Sequence, residues 1–158
     1  MKILFICTHN RCRSILSEAI TNHHANGKLI ARSAGSQPAG VVHPLSLKYL
    51  NEAGIPTADL ASQSWDDFED FEPDLVITVC DSAANEACPV WFGNTLKMHW
   101  ALNDPSKLIG TEEDKAQAFR DTINEITRRT HEILQLPFTR FDTDQLKSEM
   151  LRLGAINT

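Results

Sequence analysis

Residues 2–7 (KILFIC) form an apolar run behind a single lysine, and the run stops at a polar, basic loop. A run apolar at nearly every position predicts a strand of a parallel sheet, covered on both faces, rather than a half-exposed one. From Ser14 to Ala25 the period changes: Ile15, Leu16, Ala19 and Ile20 recur at helical spacing, and Gly27 lies just past the end. The chain therefore opens strand–loop–helix, with the loop spanning Cys7 to Arg13. Leu29–Ser33 reads as a short second strand, followed by a turn-rich stretch from Gly35 to Gly40. Pro44–Ala53 carries Leu45, Leu47, Tyr49 and Leu50, with proline in its first turn and Gly54 closing it, a helix signature. Trp65–Phe71, acidic and aromatic, reads as a short helix. Asp74–Cys80 (DLVITVC) is the clearest strand after the first, and Leu96–Trp100 is a weaker one. A long helical period runs over Glu112–Leu136 through Ala116, Phe119, Ile123, Ile126 and Leu134, and Pro137 ends it. Asp142–Leu153, with Leu146, Met150, Leu151 and Leu153, reads as a terminal helix.

Strands alternating with helices predict an α/β fold: a three-layer open sheet of about four parallel strands with helices on both faces. No internal repeat, low-complexity tract or linker divides the chain, so residues 1–158 read as a single domain with a C-terminal helical extension over 142–154. In such sheets ligands sit outside the carboxyl ends of the strands. Cys7 and Cys80 both lie at that end of their strands, so two thiols distant in sequence are expected at one rim.

Composition narrows the setting. A chain of 158 residues, 42% hydrophobic, can bury a core without staples. No apolar run approaches the length of a membrane span, and the N-terminal apolar stretch is too short for a secretory segment, so a cytoplasmic monomer is expected. In that reducing setting the four cysteines, Cys7, Cys12, Cys80 and Cys88, read as catalytic, buried or metal-binding rather than as cross-links. The net charge of −6 argues against nucleic acid as a partner, while leaving room for a locally positive pocket. Cys12 and the histidines near it lack a zinc spacing, and the pair His23–His24 suits a helix C-terminus.

Cys7-Thr8-His9-Asn10-Arg11-Cys12-Arg13-Ser14 fits C-x5-R-S between a buried strand and a helix start. Successive backbone N–H groups wrapping a helix N-terminus can bind one tetrahedral anion. Arg13 can add a planar two-pronged donor. Those positive fields are expected to depress the Cys7 pKa and make it a thiolate, with Ser14 able to donate to it. His9 and Arg11 either add positive potential or face solvent. A thiolate in an anion cradle suits a phosphate ester or arsenate, and departure of an oxygen leaving group needs a general acid. Asp104, in Asn103-Asp104-Pro105, is the candidate.

With these motifs in view, CTHNRCRS, VITVCDSAANEACP and HWALNDPSK, the stretch Met1–Leu136 resembles the low-molecular-weight protein tyrosine phosphatases, and within them the thioredoxin-coupled arsenate reductases. The second motif separates the two, because a phosphatase has no need of paired thiols there. The resemblance implies arsenate reduction with Cys7, Arg13 and Asp104 as catalytic residues and residues 8–14 (Thr8, His9, Asn10, Arg11, Cys12, Arg13 and Ser14) binding the oxyanion. Cys7 attacks arsenic, Cys80 attacks Cys7, Cys88 attacks Cys80, and thioredoxin resets the enzyme without any bound cofactor. Cys88 cannot meet both partners from one position, so residues 81–89 are expected to rearrange. Cys12 is expected to pack inside the loop. Some reductases of this type hold potassium; Asn10, Ser14 and Glu18 fit that pattern, whereas Ala61 and Gln63 do not, so no metal ligand is assigned. The alternative reading is an acid phosphatase using the same Cys7, Arg13 and Asp104.

Overall fold

The computed structural model describes residues 1–80, 95–100 and 102–135, together with Ser148 and Arg152. Cys88, with the rest of the 81–89 stretch, lies outside the described residues, as does the 142–154 extension apart from Ser148 and Arg152, both helical.

The opening apolar run becomes β1 (Lys2–Ile6), four of its five residues buried. The loop after it leads into α1 (Arg13–Ala25). β2 (Ile30–Ala34), α2 (Pro44–Glu52), two 3-10 turns over Trp65–Phe71, β3 (Leu75–Thr78) and β4 (Leu96–His99) follow. A short 3-10 turn, Pro105–Lys107, precedes α3 (Glu112–Leu134). The four strands form one parallel sheet in the order β2-β1-β3-β4. The two central strands are therefore β1 and β3, which carry Cys7 and Cys80 just beyond their carboxyl ends.

Both faces of the sheet are covered, as expected of strands this apolar. On one face Phe5 meets Trp100 at 6.4 Å between ring centroids, and Ser33 donates its hydroxyl to Glu18 of α1. On the other, Lys2 donates to the Phe71 carbonyl at 2.9 Å and the Arg32 guanidinium stands over the Phe71 ring. A second apolar layer joins α1, α2 and α3 through Leu16, Ile20, Tyr49, Leu50, Phe119 and Ile123. Tyr49 and Phe119 stack there at 5.0 Å.

The long helix is well begun. Thr111 accepts the Asp114 N–H while the Asp114 carboxylate accepts the Thr111 N–H, each at 3.1 Å, and Glu112, Glu113 and Asp114 complement the dipole. Its Arg129, fully buried, pairs with Glu125 and lies over Trp100, 5.3 Å from the ring centroid. Trp65–Phe71 departs from an α-helix because Phe68 leaves helical dihedrals (φ −113°, ψ 16°). Ser64 and Asp67 cap its start reciprocally, so the Asp67 carboxylate serves the turn. No helix among the described residues is long and apolar enough to cross a membrane.

Candidate active site

The loop from Cys7 to Cys12 is held by its carbonyls. Thr8, His9 and Arg11 accept the N–H groups of Gln37, Ala39 and His43, each at 2.9 Å. These bonds draw the carbonyl oxygens outward to the 37–43 segment. The first turn of α1 has no intrahelical acceptor for its N–H groups, so donors remain for the interior of the loop. Asn10 takes the left-handed conformation (φ 46°), which Asn tolerates better than most residues. Its amide donates to Ser14 Oγ and its carbonyl accepts the Gln63 N–H, each at 2.8 Å. Fully buried, Asn10 braces the loop from behind.

Gly35, at the end of β2, backs the same loop. A Cβ there would fall on the Thr8 carbonyl oxygen and 2.6 Å from that of Cys7. The backbone of β2 approaches the loop this closely only because residue 35 has no side chain.

A cavity of about 180 Å³ opens in front of the loop, lined by Cys7, Thr8, His9, Arg11, Cys12 and Arg13 on one side. Cys80, His43, Asp104, Ser106 and Lys107 complete it. Arg13 donates to the Leu102 carbonyl at 3.0 Å and lies 3.6 Å from the Asp104 carboxylate, while its Nε is buried with no partner among the described residues. That orphaned donor costs free energy as it stands and suits an incoming anion. Asp104 is held by its own turn: Oδ1 accepts the Ser106 N–H at 2.9 Å and the Ser106 hydroxyl at 2.6 Å. Its other oxygen is the one facing Arg13.

Both described rim cysteines line this cavity. The Cys80 thiol accepts the Thr8 N–H at 3.4 Å, with the Thr8 hydroxyl at 3.8 Å, and so lies against the residue that follows Cys7. Adjacent parallel strands bring them together: Val79 donates to the Ile6 carbonyl at 2.9 Å, one step beyond the paired residues Ile6 and Thr78. The Cys7 pKa is pushed up, first by the bond to Cys80, then by burial and by Cys80's charge, with Arg13 pulling it down. The sequence expectation of a depressed pKa is thereby reversed in this arrangement. Arg13 is the charge that favours the thiolate there. Cys12 sits in the loop wall, its thiol pushed up to about 11, chiefly by burial. It stays protonated at neutral pH.

Of the residues picked out from the sequence, the structure gathers Cys7, Thr8, His9, Arg11, Cys12, Arg13, Cys80 and Asp104 around one cavity. Asn10 and Ser14 lie behind it: the Ser14 hydroxyl is fully buried against the Asn10 amide rather than facing Cys7. His99, at the end of β4, pairs with the Thr78 hydroxyl at 2.9 Å. Sequence reasoning missed His43, Ser106 and Lys107. The Asp-Pro-Ser order carries a turn signal that could have exposed Ser106, and a residue directly before a helix-opening proline is a natural cap. Behind the loop, Asn10 accepts the Gln63 N–H and donates to Ser14, and Glu18 accepts the Ser33 hydroxyl at 2.6 Å. Burial raises the Glu18 pKa, partly offset by Ser33 and Arg32.

The chain has relatives among known proteins. Residues 2–149 match the family model described as low molecular weight phosphotyrosine protein phosphatase. An arsenate reductase of Halalkalibacterium halodurans is 35% identical over 127 residues, 80% of this chain and 90% of that protein. Among solved structures, an arsenate reductase in the phosphate binding state superposes with a TM-score of 0.69 at 25% identity, over 84% of this chain and 95% of the other. The thioredoxin-dependent arsenate reductase of Corynebacterium glutamicum is 31% identical with a TM-score of 0.63, over 84% of this chain and 59% of that one.

Proposed function

The chain belongs to the low molecular weight phosphotyrosine protein phosphatase family, and we propose that within it this protein is an arsenate reductase working through Cys7, Cys80 and Cys88. The observation that carries the reading is the placement of Cys80 in the same cavity as the loop nucleophile Cys7, its thiol held by the Thr8 N–H. A phosphatase needs the loop, Arg13 and an acid; it does not need a second thiol against the nucleophile. The arsenate reductases among the relatives and the thioredoxin-dependent structural neighbour support the same choice.

The chemistry follows from the groups present. Arsenate enters the cavity as an oxyanion, bound by loop N–H groups and by Arg13. The Cys7 thiolate attacks arsenic(V); a sulfur–arsenic bond forms, and one oxygen leaves as water with a proton from Asp104. The Cys80 sulfur then attacks Cys7 Sγ. The sulfur–arsenic bond breaks, its electron pair stays with arsenic, and arsenite departs as arsenic(III) while the two thiols become a disulfide. Disulfide bonding needs Cα atoms within roughly 7 Å, and the paired strands β1 and β3 carry the two cysteines to one cavity. Cys88 next attacks Cys80, releasing Cys7 as thiolate and leaving Cys80–Cys88. Thioredoxin's dithiol reduces that disulfide and completes the cycle.

The test is arsenite production with thioredoxin, thioredoxin reductase and NADPH, comparing the intact protein with Cys88→Ser. Sustained turnover by the intact protein alone supports both relay and donor. If neither consumes NADPH with arsenate while both hydrolyse an aryl phosphate, the phosphatase reading replaces this one.

A further inference from the structure

The oxyanion cavity has a wall that neither the loop motif nor the acid accounts for. His43 stands there as the residue before α2, its backbone N–H bonded to the Arg11 carbonyl at 2.9 Å. Its ring Nδ1 accepts the Leu45 N–H at 3.1 Å and so caps the helix. A nitrogen that accepts an N–H carries no proton of its own. The neutral ring must therefore hold its proton on Nε2, making that atom a donor. Nε2 has no hydrogen bond among the described residues, and the ring lines the cavity alongside Cys7, Arg13 and Asp104.

We propose that His43 is an oxyanion-binding residue, its Nε2–H reaching the outer oxygens of an anion seated between Cys7 and Arg13. The proposal rests on reading the cavity as an oxyanion site, and it assigns a binding role to a residue outside the loop.

The charged surroundings keep the ring in the required form. Arg11 faces it from the loop, Asp104 from the segment after β4, and Lys107 shares the cavity; from α3 the Phe119 ring stands 6.5 Å away. Burial, followed by Arg11, lowers the His43 pKa, with Asp104 opposing. Protonation would also place a proton on Nδ1 and forfeit the bond to Leu45. The stability this cap supplies is thus present at and above the ordinary histidine pKa and is lost as pH falls through the lowered one. At neutral pH the ring is a neutral donor of fixed orientation, and its two nitrogens have separable jobs.

Two substitutions separate those jobs. His43→Asn keeps an acceptor near Nδ1, and Asn is a strong helix cap, but it cannot reach the cavity. His43→Gln carries an amide N–H at the position of Nε2 and gives up the cap. Equilibrium binding of inorganic phosphate and of arsenate is measured by calorimetry, with melting temperatures for each protein. His43→Asn is expected to melt with the parent protein yet bind both anions about tenfold more weakly, the scale of one hydrogen bond to a charged group. His43→Gln is expected to melt earlier while keeping most of the affinity. Unchanged anion affinity in His43→Asn overturns the proposal, as does affinity that tracks melting temperature in both variants. A parent protein that binds neither anion marks a different failure, that of the oxyanion site itself.

Discussion

The loop at residues 7–14 and the turn at residues 104–107 face each other across one cavity, and they are built on opposite principles. The loop is a backbone device. Three of its carbonyls are tied to the 37–43 segment, Asn10 braces it from behind, and Gly35 lets a strand end press against it. The turn is a side-chain device: the Asp104 carboxylate is set by Ser106 and by Arg13, with proline at its first position. Backbone donors hold an anion whatever side chains the loop carries, which is why His9 and Arg11 can occupy it. A proton donor, by contrast, must be one particular group at one place.

Substitutions should therefore separate the two regions cleanly. The largest effect is expected from Asp104→Asn. Aryl phosphate hydrolysis should fall by about a hundred- to ten-thousandfold, the usual worth of a general acid, while phosphate affinity is nearly retained. Hydrolysis rates and phosphate binding measured on one preparation check this, and a matching loss of affinity would erase the distinction. Gly35→Ala comes next. Its Cβ would meet two loop carbonyls, so stability should drop by about 1–3 kcal/mol, the cost of overpacking, with anion affinity falling in step. Denaturant unfolding and calorimetry read both; an intact affinity would mean that the loop does not depend on this close approach. The smallest effect is electrostatic. Cys80 is the leading cause of the raised Cys7 pKa, so Cys80→Ser should let Cys7 ionise at lower pH. The rate of Cys7 alkylation against pH would shift its midpoint downward, and an unmoved midpoint would deny the coupling.

How far each region was legible in the sequence follows from the same contrast. The strand–loop–helix at the N-terminus announces itself, because an unbroken apolar run, a basic loop and a change to helical period are all local signals. The rule that ligands gather at the carboxyl ends of parallel strands brought Cys80 to Cys7 from 73 positions away, and the β1–β3 pairing bears that out. Three things were not legible. The direction of the Cys7 pKa depends on a thiol from another strand, which no local pattern encodes. Ser14 was read toward the nucleophile, yet the left-handed Asn10 turns its amide onto that hydroxyl and holds it behind the loop. His43 went unread because its role comes from a cap and a cavity wall together, and only the folded chain combines them.

The central claim is that the nucleophile's neighbour completes a redox step rather than merely packing beside it. The most direct test is a single turnover of the reduced protein with arsenate and no reductant, followed by alkylation and disulfide mapping. Reduction by the relay predicts one arsenite per chain, a Cys80–Cys88 disulfide in the intact protein and a Cys7–Cys80 disulfide in Cys88→Ser. All four thiols remaining free, with no arsenite formed, would contradict it.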